Sequence, residues 1–462
     1  MELYMIALAF VIYTSVLIAI GLYSYRQTHN ASDFLVGGRH VGYVVTALSA
    51  HASDMSSWLF FGFPAAVYLN GIGECWAAIG LLCGMWATWH FVAPRLRKKT
   101  EESKSVTLSH FFAHASGDKR GLVSKVSAGA SLFFFLFYIA SGLKGVGTLL
   151  FAVFGLPQLI GVFLAVFVVV TYTTMGGYLA VAMTDAFQAV FLLFMIILVP
   201  VVTFLNLPAA APALTTPHWT LMPTLSYATV LQAFTTALAW GIGYCGMPHV
   251  LTKFIGIDSV KNVKKAQYVG LAWQTIALCA AASIGLVARY YFVTPPANTE
   301  HIFIILVTKL FSPLAAGFIL CAILAATIST LDSQVIVSAT IITKDVAHAS
   351  PRTQVWFMRI SILLLSLCAA GIALCSEQSL YEIVRYAWSG LGSTFGPLVI
   401  ASLYFPRLTP AGALAGMGGG ALTAAVWPSF ASVLVDAPMI PGFFIGALLL
   451  VTTSYMSKKV SV

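Results

Sequence analysis

Thirteen stretches of this chain are apolar over enough residues to cross about 30 Å of hydrocarbon, and no other feature limits the fold as strongly. They run over 3–24, 42–68, 73–93, 121–152, 157–175, 181–205, 226–252, 265–293, 301–343, 354–375, 380–404, 410–428 and 438–456. Hydrocarbon offers no water to backbone N–H and C=O groups, so each stretch must satisfy them internally as a helix. The expectation is an all-α integral membrane protein of about 13 transmembrane helices. The count is open by one, because 301–343 has room for an extra surface helix.

Charge is scarce in the way a bilayer demands: 8% of the residues are Asp, Glu, Lys or Arg, against about 25% in soluble domains. No soluble domain fits between the helices. The largest polar insert, 94–120, reads as a basic loop with one short amphipathic piece, and 206–224 is rich in Pro and Thr. No Walker-type phosphate loop and no Ser/His/Asp spacing stands out, so an enzyme is not expected. The seven cysteines, at 75, 83, 245, 279, 321, 368 and 375, lack ligand spacing and read as core filler rather than metal or disulfide partners. At the N-terminus Glu2 replaces the basic flank of a signal peptide, and the first apolar run is too long for one, so it is expected to be retained.

The net charge of +9 is explained by topology rather than by nucleic acid. If the segments alternate, one side receives Arg26, Arg39, Arg95, Arg97, Lys98, Lys99, Lys104, Lys119, Arg120 and Lys125. The same side receives Lys253, Lys261, Lys264, Lys265, Lys344, Arg352, Arg407, Lys458 and Lys459, making 19 of the 24 basic residues. The other five, Lys144, Arg289, Lys309, Arg359 and Arg385, fall within expected helices. By the positive-inside rule the basic side is cytoplasmic, with the N-terminus outside and the C-terminus inside.

Ionisable groups inside a bilayer cost about 2.5–3.5 kcal/mol on insertion scales, which makes each a candidate for function. Asp54, Glu74, Lys144, Asp185 and Asp332 are the main ones. Asp54 lies in "SAHASDMSSWLFFGFP" (49–64), where Ser49, Ser53, Ser56 and Ser57 compete with the helix for backbone hydrogen bonds. An unwound turn near 52–57 is expected. Its freed carbonyls suit an alkali cation, and the resuming half-helix presents N–H groups to an anion. A simple kink, with polar groups bonded across a helix interface, is the alternative.

A second interruption, "LAWGIGYCGMPH" (238–249), places three glycines and a proline in the seventh segment, with Trp240 and Tyr244 on one face. Two broken helices five segments apart are the signature of an inverted-repeat transporter with its site at the midplane. The third element is "CAILAATISTLDSQVIVSAT" (321–340), where Ala326, Ser329, Thr330 and Ser333 form one helical stripe. Hydroxyls and a carbonyl make an oxygen cage for a hard monovalent ion, although serines that bond back to their own helix look the same in sequence.

"ASDMSSW", "WGIGYCGMPH", "GGYLAVAMTDAFQ", "LAATISTLDSQ" and the glycine-rich "RLTPAGALAG" together resemble the sodium:solute symporter family, and within it the bacterial branch that takes up proline. The likeness covers nearly the whole chain. It implies a leucine-transporter-type fold with inverted five-helix repeats and alternating-access symport of a small solute with sodium. The expected division is 1–41 as an extra helix and loop, 42–205 and 226–404 as the repeats, 206–225 as an external loop, and 405–462 as two terminal helices. The bacterial inner membrane is the expected location.

By the same resemblance, backbone oxygens of Ala52, Met55 and Ala326 with the hydroxyls of Ser329 and Thr330 would hold sodium. Trp58, Gly62, Tyr138, Trp240 and Tyr244, with Pro248 nearby, would bind substrate, expected to be L-proline. Asp54 and Ser56 would support the sodium turn. Asp185, Asp332 and Ser333 form a further cluster: Asp332 either joins a second sodium position, as in some family members, or neutralises Lys144. His51 and Ser57 stand where the proline branch has small glycines, and Met247 replaces a polar residue, so the pocket rim is expected to differ. Another amino acid, pantothenate or a sialic acid is the alternative solute. A transporter-like sensor is a further alternative, but residues 457–462 leave no space for an output module.

Overall fold

The computed structural model describes residues 2–26, 31–208, 216–222, 226–292, 294–350, 352–429 and 437–457. Among them every named element is helical. α1 (Glu2–Tyr25) and the short α2 (Ala31–Val36) lead to a broken helix with halves α3 (Tyr43–Ala52) and α4 (Gly62–Asn70). α5 (Cys75–Ala87) passes through a π-turn at Thr88–Val92 into α6 (Ala93–Glu102), followed by α7 (Leu108–Ser116). Next come α8 (Leu122–Phe154), α9 (Gln158–Leu205) and the single turn α10 (Thr216–Trp219). The second broken helix has halves α11 (Tyr227–Gly243) and α12 (Pro248–Gly256). The chain continues through α13 (Val260–Tyr291), α14 (Ile302–Leu310), α15 (Pro313–Ile341), α16 (Gln354–Cys375) and α17 (Leu380–Tyr404). It ends with α18 (Pro410–Val426) and α19 (Met439–Met456).

Eight uninterrupted helical stretches among the described residues are by themselves long and apolar enough to span a bilayer. The expected segments 157–175 and 181–205 are joined in α9, which turns at Gly177 (φ 59°, ψ −143°) rather than stopping. Only glycine adopts that backbone without strain, and a Cβ there would meet Phe34 at 2.6 Å. Residues 301–343 do divide, into α14 and α15.

The expected basic loop 94–120 is in part helix. α6 carries the chain out to Glu102 because its charges are paired along the way: Arg97 bridges Glu101 at 2.8 Å and donates to the Ile257 carbonyl at 2.7 Å. Helical spacing supports the first of these pairs. The short amphipathic piece is α7, capped by the Thr107 hydroxyl.

α15 is the axis of the bundle. Residues 319–341 are all buried, packed among α1, α8, α9 and α16. Its apolar residues fall on every side, as suits a helix at such a centre, and Ser329, Thr330, Asp332 and Ser333 are buried with them. Cys245 and Cys321 are core residues, but Cys83, Cys279, Cys368 and Cys375 face outward, which corrects the core-filler expectation for those four.

Several basic residues meet at one end of the bundle. Arg39 donates to the Thr100 and Ser105 carbonyls at 2.9 Å, and Lys99 to the Ser402 and Leu403 carbonyls at 3.0 and 2.9 Å. Arg97 ties the same end to Ile257, whose strand-like bridge pairs it with Val41. Lys458, Lys459 and part of the 206–225 loop lie outside the described residues.

Candidate functional site

The first break forms where the sequence predicts it. α3 stops at Ala52, the Met55 N–H bonds the Ala52 carbonyl at 3.2 Å, and Ser56 is extended (φ −82°, ψ −166°). A short 3-10 turn at Ser57–Leu59 precedes α4. The Ser53 hydroxyl donates to the Ala50 carbonyl at 3.1 Å, a local bond of the kind that weakens a helix end. Neither Asp54 carboxylate oxygen nor the Ser56 hydroxyl has a hydrogen-bond partner within the protein, and all three are buried. The turn is therefore held by Ser53 and the backbone rather than by Asp54 and Ser56. Asp54 lies within electrostatic reach of Tyr138 and Tyr244. A buried carboxylate with no donor is costly, and it is relieved either by a proton or by a cation.

At the second break Met247 is extended (φ −87°, ψ 104°) and Pro248, which has no N–H to give, starts α12. Gly246 lies directly on α17: a Cβ there would meet the Gly392 Cα and the Gly396 nitrogen at 2.8 Å.

α15 packs against both α3 and the Ser57–Leu59 turn, which brings the striped helix to the first break. Ala52, Met55, Ala326 and Ser329 are buried to within 1%. Thr330 bonds back to the Ala326 carbonyl at 3.0 Å, whereas the Ser329 hydroxyl has no partner. Carbonyls accept twice: the Ala52 carbonyl takes the Met55 N–H and keeps a lone pair, whereas the Ala326 carbonyl already takes both the Thr330 hydroxyl and, within the helix, the Thr330 N–H.

The aromatic residues form a row across the two breaks. Trp58 and Trp240 lie 5.4 Å apart between ring centres, and Trp240 and Trp388 of α17 lie 5.7 Å apart. A cavity of about 460 Å³ opens over the last two, with Glu74, Gln232, Thr235 and Arg385 in its wall. Trp58 and Gly62 line a narrow cleft with Ser57 and Glu300. Tyr138 sits edge-on to His249 at 5.9 Å, Tyr244 is fully buried, and Pro248 lines a small cleft with Thr107 and Ser131. Glu74, near the start of the span that runs through α5, accepts from Asn70 at 2.9 Å in an exposed pair and lines the cavity of about 460 Å³.

The sequence model of the sodium:solute symporter family matches residues 34–420. The chain belongs to the sodium:solute symporter family. Curated relatives named sodium/proline symporter include those of Escherichia coli strain K12, 38% identical over 98% of this chain and 93% of the relative. Those of Haemophilus influenzae strain Rd (38%; 98% and 94%) and Staphylococcus aureus strain JH9 (36%; 97% and 92%) are similar in extent. The structure of a Na+-coupled sialic acid symporter in a substrate-bound outward-open state superposes with TM-score 0.84 at 18% identity, covering 99% of both chains. Mhp1, a nucleobase-cation-symport-1 family transporter in a closed conformation, gives TM-score 0.61 at 14% identity over 93% and 95%. These superpositions establish the leucine-transporter-type fold. The protein is a multi-pass membrane transporter of a small solute coupled to sodium, not an enzyme.

The Asp185, Asp332 and Ser333 cluster singled out in the sequence lies beside the first break, buried and joined by Lys253 and Ser49. Lys253 is not a loop residue. It lies in α12, 1% exposed, and its ammonium pairs with Asp185 Oδ2 at 2.9 Å. Ser49 and Ser333 donate to the same oxygen at 2.6 and 3.2 Å. Asp332 accepts a short hydrogen bond from Tyr172. The reading in which Asp332 neutralises Lys144 is overturned: Lys144 donates to the Ser376 and Gln378 carbonyls at 2.9 and 2.6 Å.

His51 also takes a different place from the one expected. Its ring meets Trp89 and Gln274 rather than the substrate cleft. The Trp89 indole donates to His51 Nε2 at 3.0 Å, which leaves Nδ1 as the donor to Gln274 Oε1 at 3.1 Å. Gln274 in turn donates to the Met55 sulfur at 3.0 Å. Trp388 and Lys253 escaped the sequence reading. Trp388 is one of 10 tryptophans and sits in an ordinary apolar run, while Lys253 fits the pattern of a basic loop.

Proposed function

We propose that this symporter carries L-proline into the cell with sodium. The full-length likeness to sodium/proline symporters, at 36–38% identity, carries the reading. The geometry supports it: two broken helices meet at Trp58 and Trp240, beside a buried Asp54 carboxylate and Ser329 hydroxyl that have no partners.

In this reading the backbone oxygens of Ala52, Met55 and Ala326 and the hydroxyls of Ser329 and Thr330 hold sodium. Trp58, Gly62, Tyr138, Trp240, Tyr244 and Pro248 receive the substrate. A pyrrolidine ring is small and apolar and suits flat aromatic walls, and its ammonium gains about 0.5–2 kcal/mol against an indole face. Asp54 supplies the negative charge, with Ser56 beside it, and Asp185, Asp332 and Ser333 support the sodium turn from the α9 and α15 side. The repeats are 42–205 and 226–404, and the basic end faces the cytoplasm of a bacterial inner membrane, with the N-terminus outside.

Sodium entering from outside orders the turn at Ala52–Met55 and so raises substrate affinity, and linkage makes the effect reciprocal. Each charge moved inward contributes about 2.3 kcal/mol per 100 mV of membrane potential. The test is uptake of labelled proline into proteoliposomes with and without an inward sodium gradient, competed by other amino acids, pantothenate and a sialic acid. Sodium-stimulated uptake that proline alone competes is expected, and its absence overturns the substrate assignment. Trp240→Ala should weaken substrate binding, and Ser329→Ala should weaken the sodium dependence.

A further inference from the structure

We propose that Lys253 is a built-in cation that fills a second cation position formed by Asp185, Ser49 and Ser333, so that this chain binds one sodium where the same cluster without the lysine would bind two. The proposal rests on the sodium-coupling reading above.

The cluster has the composition of a cation site. Asp185 Oδ2 receives the Lys253 ammonium and the Ser49 and Ser333 hydroxyls together, while Asp185 Oδ1 and Asp332 Oδ1 are buried with no partner. Its oxygens come from α3, α9 and α15, three packed helices. Its place is also telling. Ser49 lies one turn before Ala52 on α3, and Ser333 one turn after Ser329 on α15, so this position and the proposed sodium position are successive steps along the same two helices.

Hard oxygen donors of this kind suit an alkali ion as well as an ammonium. What excludes sodium is charge. With the ammonium 2.9 Å from Asp185, a second cation would meet a like charge at close range in a medium of low dielectric. The Tyr178 ring, 5.2 Å beneath the ammonium, holds it further in place. Removing the ammonium would leave Asp185 and Asp332 both unneutralised, and a mobile cation could then take its place.

The test counts ions on the full-length purified protein by equilibrium binding of radioactive sodium, together with the sodium dependence of uptake in proteoliposomes. Wild type should bind one sodium per chain, and Lys253→Arg should keep that number. Lys253→Met should bind two, with the Hill coefficient of uptake rising above one. The double variant Lys253→Met with Asp185→Asn, which removes both charges, should return to one. Two ions on wild type, or one on Lys253→Met, overturns the proposal. If Lys253→Met folds poorly, high sodium should recover it; failure to do so while the double variant folds also overturns the proposal. Ion binding is read without the organic solute, so absence of proline uptake leaves this result standing. A wild type that binds no sodium defeats the coupling reading itself.

Discussion

Met55 is the residue on which the sodium turn is fixed from behind. Its carbonyl is a proposed ligand, and its sulfur accepts from Gln274, which is held by His51 and through it by Trp89. None of these three side chains needs to touch the ion, yet they set where the carbonyl points. His51→Ala removes a buried bond at each ring nitrogen, and losing about 1–2 kcal/mol of positioning should raise the sodium concentration for half-maximal uptake by about 5- to 30-fold. The proline KM at saturating sodium should change little, and His51→Gln, which can still meet Gln274, should recover part of the loss. Equal shifts in both constants would assign His51 to the substrate pocket instead. Trp388 argues the opposite case. It lies tilted against Trp240 at 39° and lines the 460 Å³ cavity, with its indole nitrogen buried and unpartnered. Trp388→Ala should raise the proline KM about 5- to 10-fold, the loss of about 1–1.5 kcal/mol of aromatic contact, with the sodium constant unchanged in flux assays.

The two broken helices were legible because their causes are local. Ser53 competes for a carbonyl and Pro248 lacks an N–H, and both effects act within a turn of the residue that produces them. Asp54 could be picked out by its charge alone, but what surrounds it comes from Tyr138 of α8 and Tyr244 at the second break, which the sequence of 49–64 does not contain. Lys253 was hidden for a related reason. It lies five residues past Pro248 in a helix of nine, where a basic residue reads as the approach to a loop, and only the contact with α9 turns it inward. Likewise α6 continues past 93 because Arg97 finds carbonyls contributed by residues 257 and 258. The second break also depends on a neighbour, since Gly246 and Gly392 let α17 touch it backbone to backbone. Gly246→Val would force these elements apart. Membrane insertion and expression should stay near wild type while uptake falls by about 5-fold or more, because overpacking of this kind costs about 1–3 kcal/mol. Normal uptake would show that α17 and the break move independently.

At the scale of the whole molecule, cavities of about 460 Å³ open both over Trp240 and Trp388 and at the basic end beside Lys99, Ser402 and Leu403, whereas the cleft between Pro248, Thr107, Ser131 and Thr340 measures about 10 Å³. The basic end is closed by polar contacts between elements rather than by apolar packing alone: Thr107 donates to Asp345 at 2.9 Å, Arg39 to Thr100 and Ser105, and Lys99 to Ser402 and Leu403. Polar closures suit a transporter, because water can replace each bond when the end opens and the change in free energy stays small. Thr107→Val keeps the side-chain shape and removes the closure with Asp345 together with the cap of α7. At about 1 kcal/mol it should multiply the fraction of molecules open at the basic end about fivefold. Ser131 lines that cleft and is 3% exposed, so Ser131→Cys reports the opening if the outward-facing Cys83, Cys279, Cys368 and Cys375 are replaced. Without sodium, a membrane-impermeant maleimide applied from the basic side should label Cys at 131 about five times faster when Thr107→Val is present. Saturating sodium should slow labelling in both backgrounds, because the ion favours the arrangement open at the other end. A rate unaffected by Thr107→Val would place the closure elsewhere, in the Arg39 and Lys99 contacts, and a rate unaffected by sodium would separate this end from the ion site.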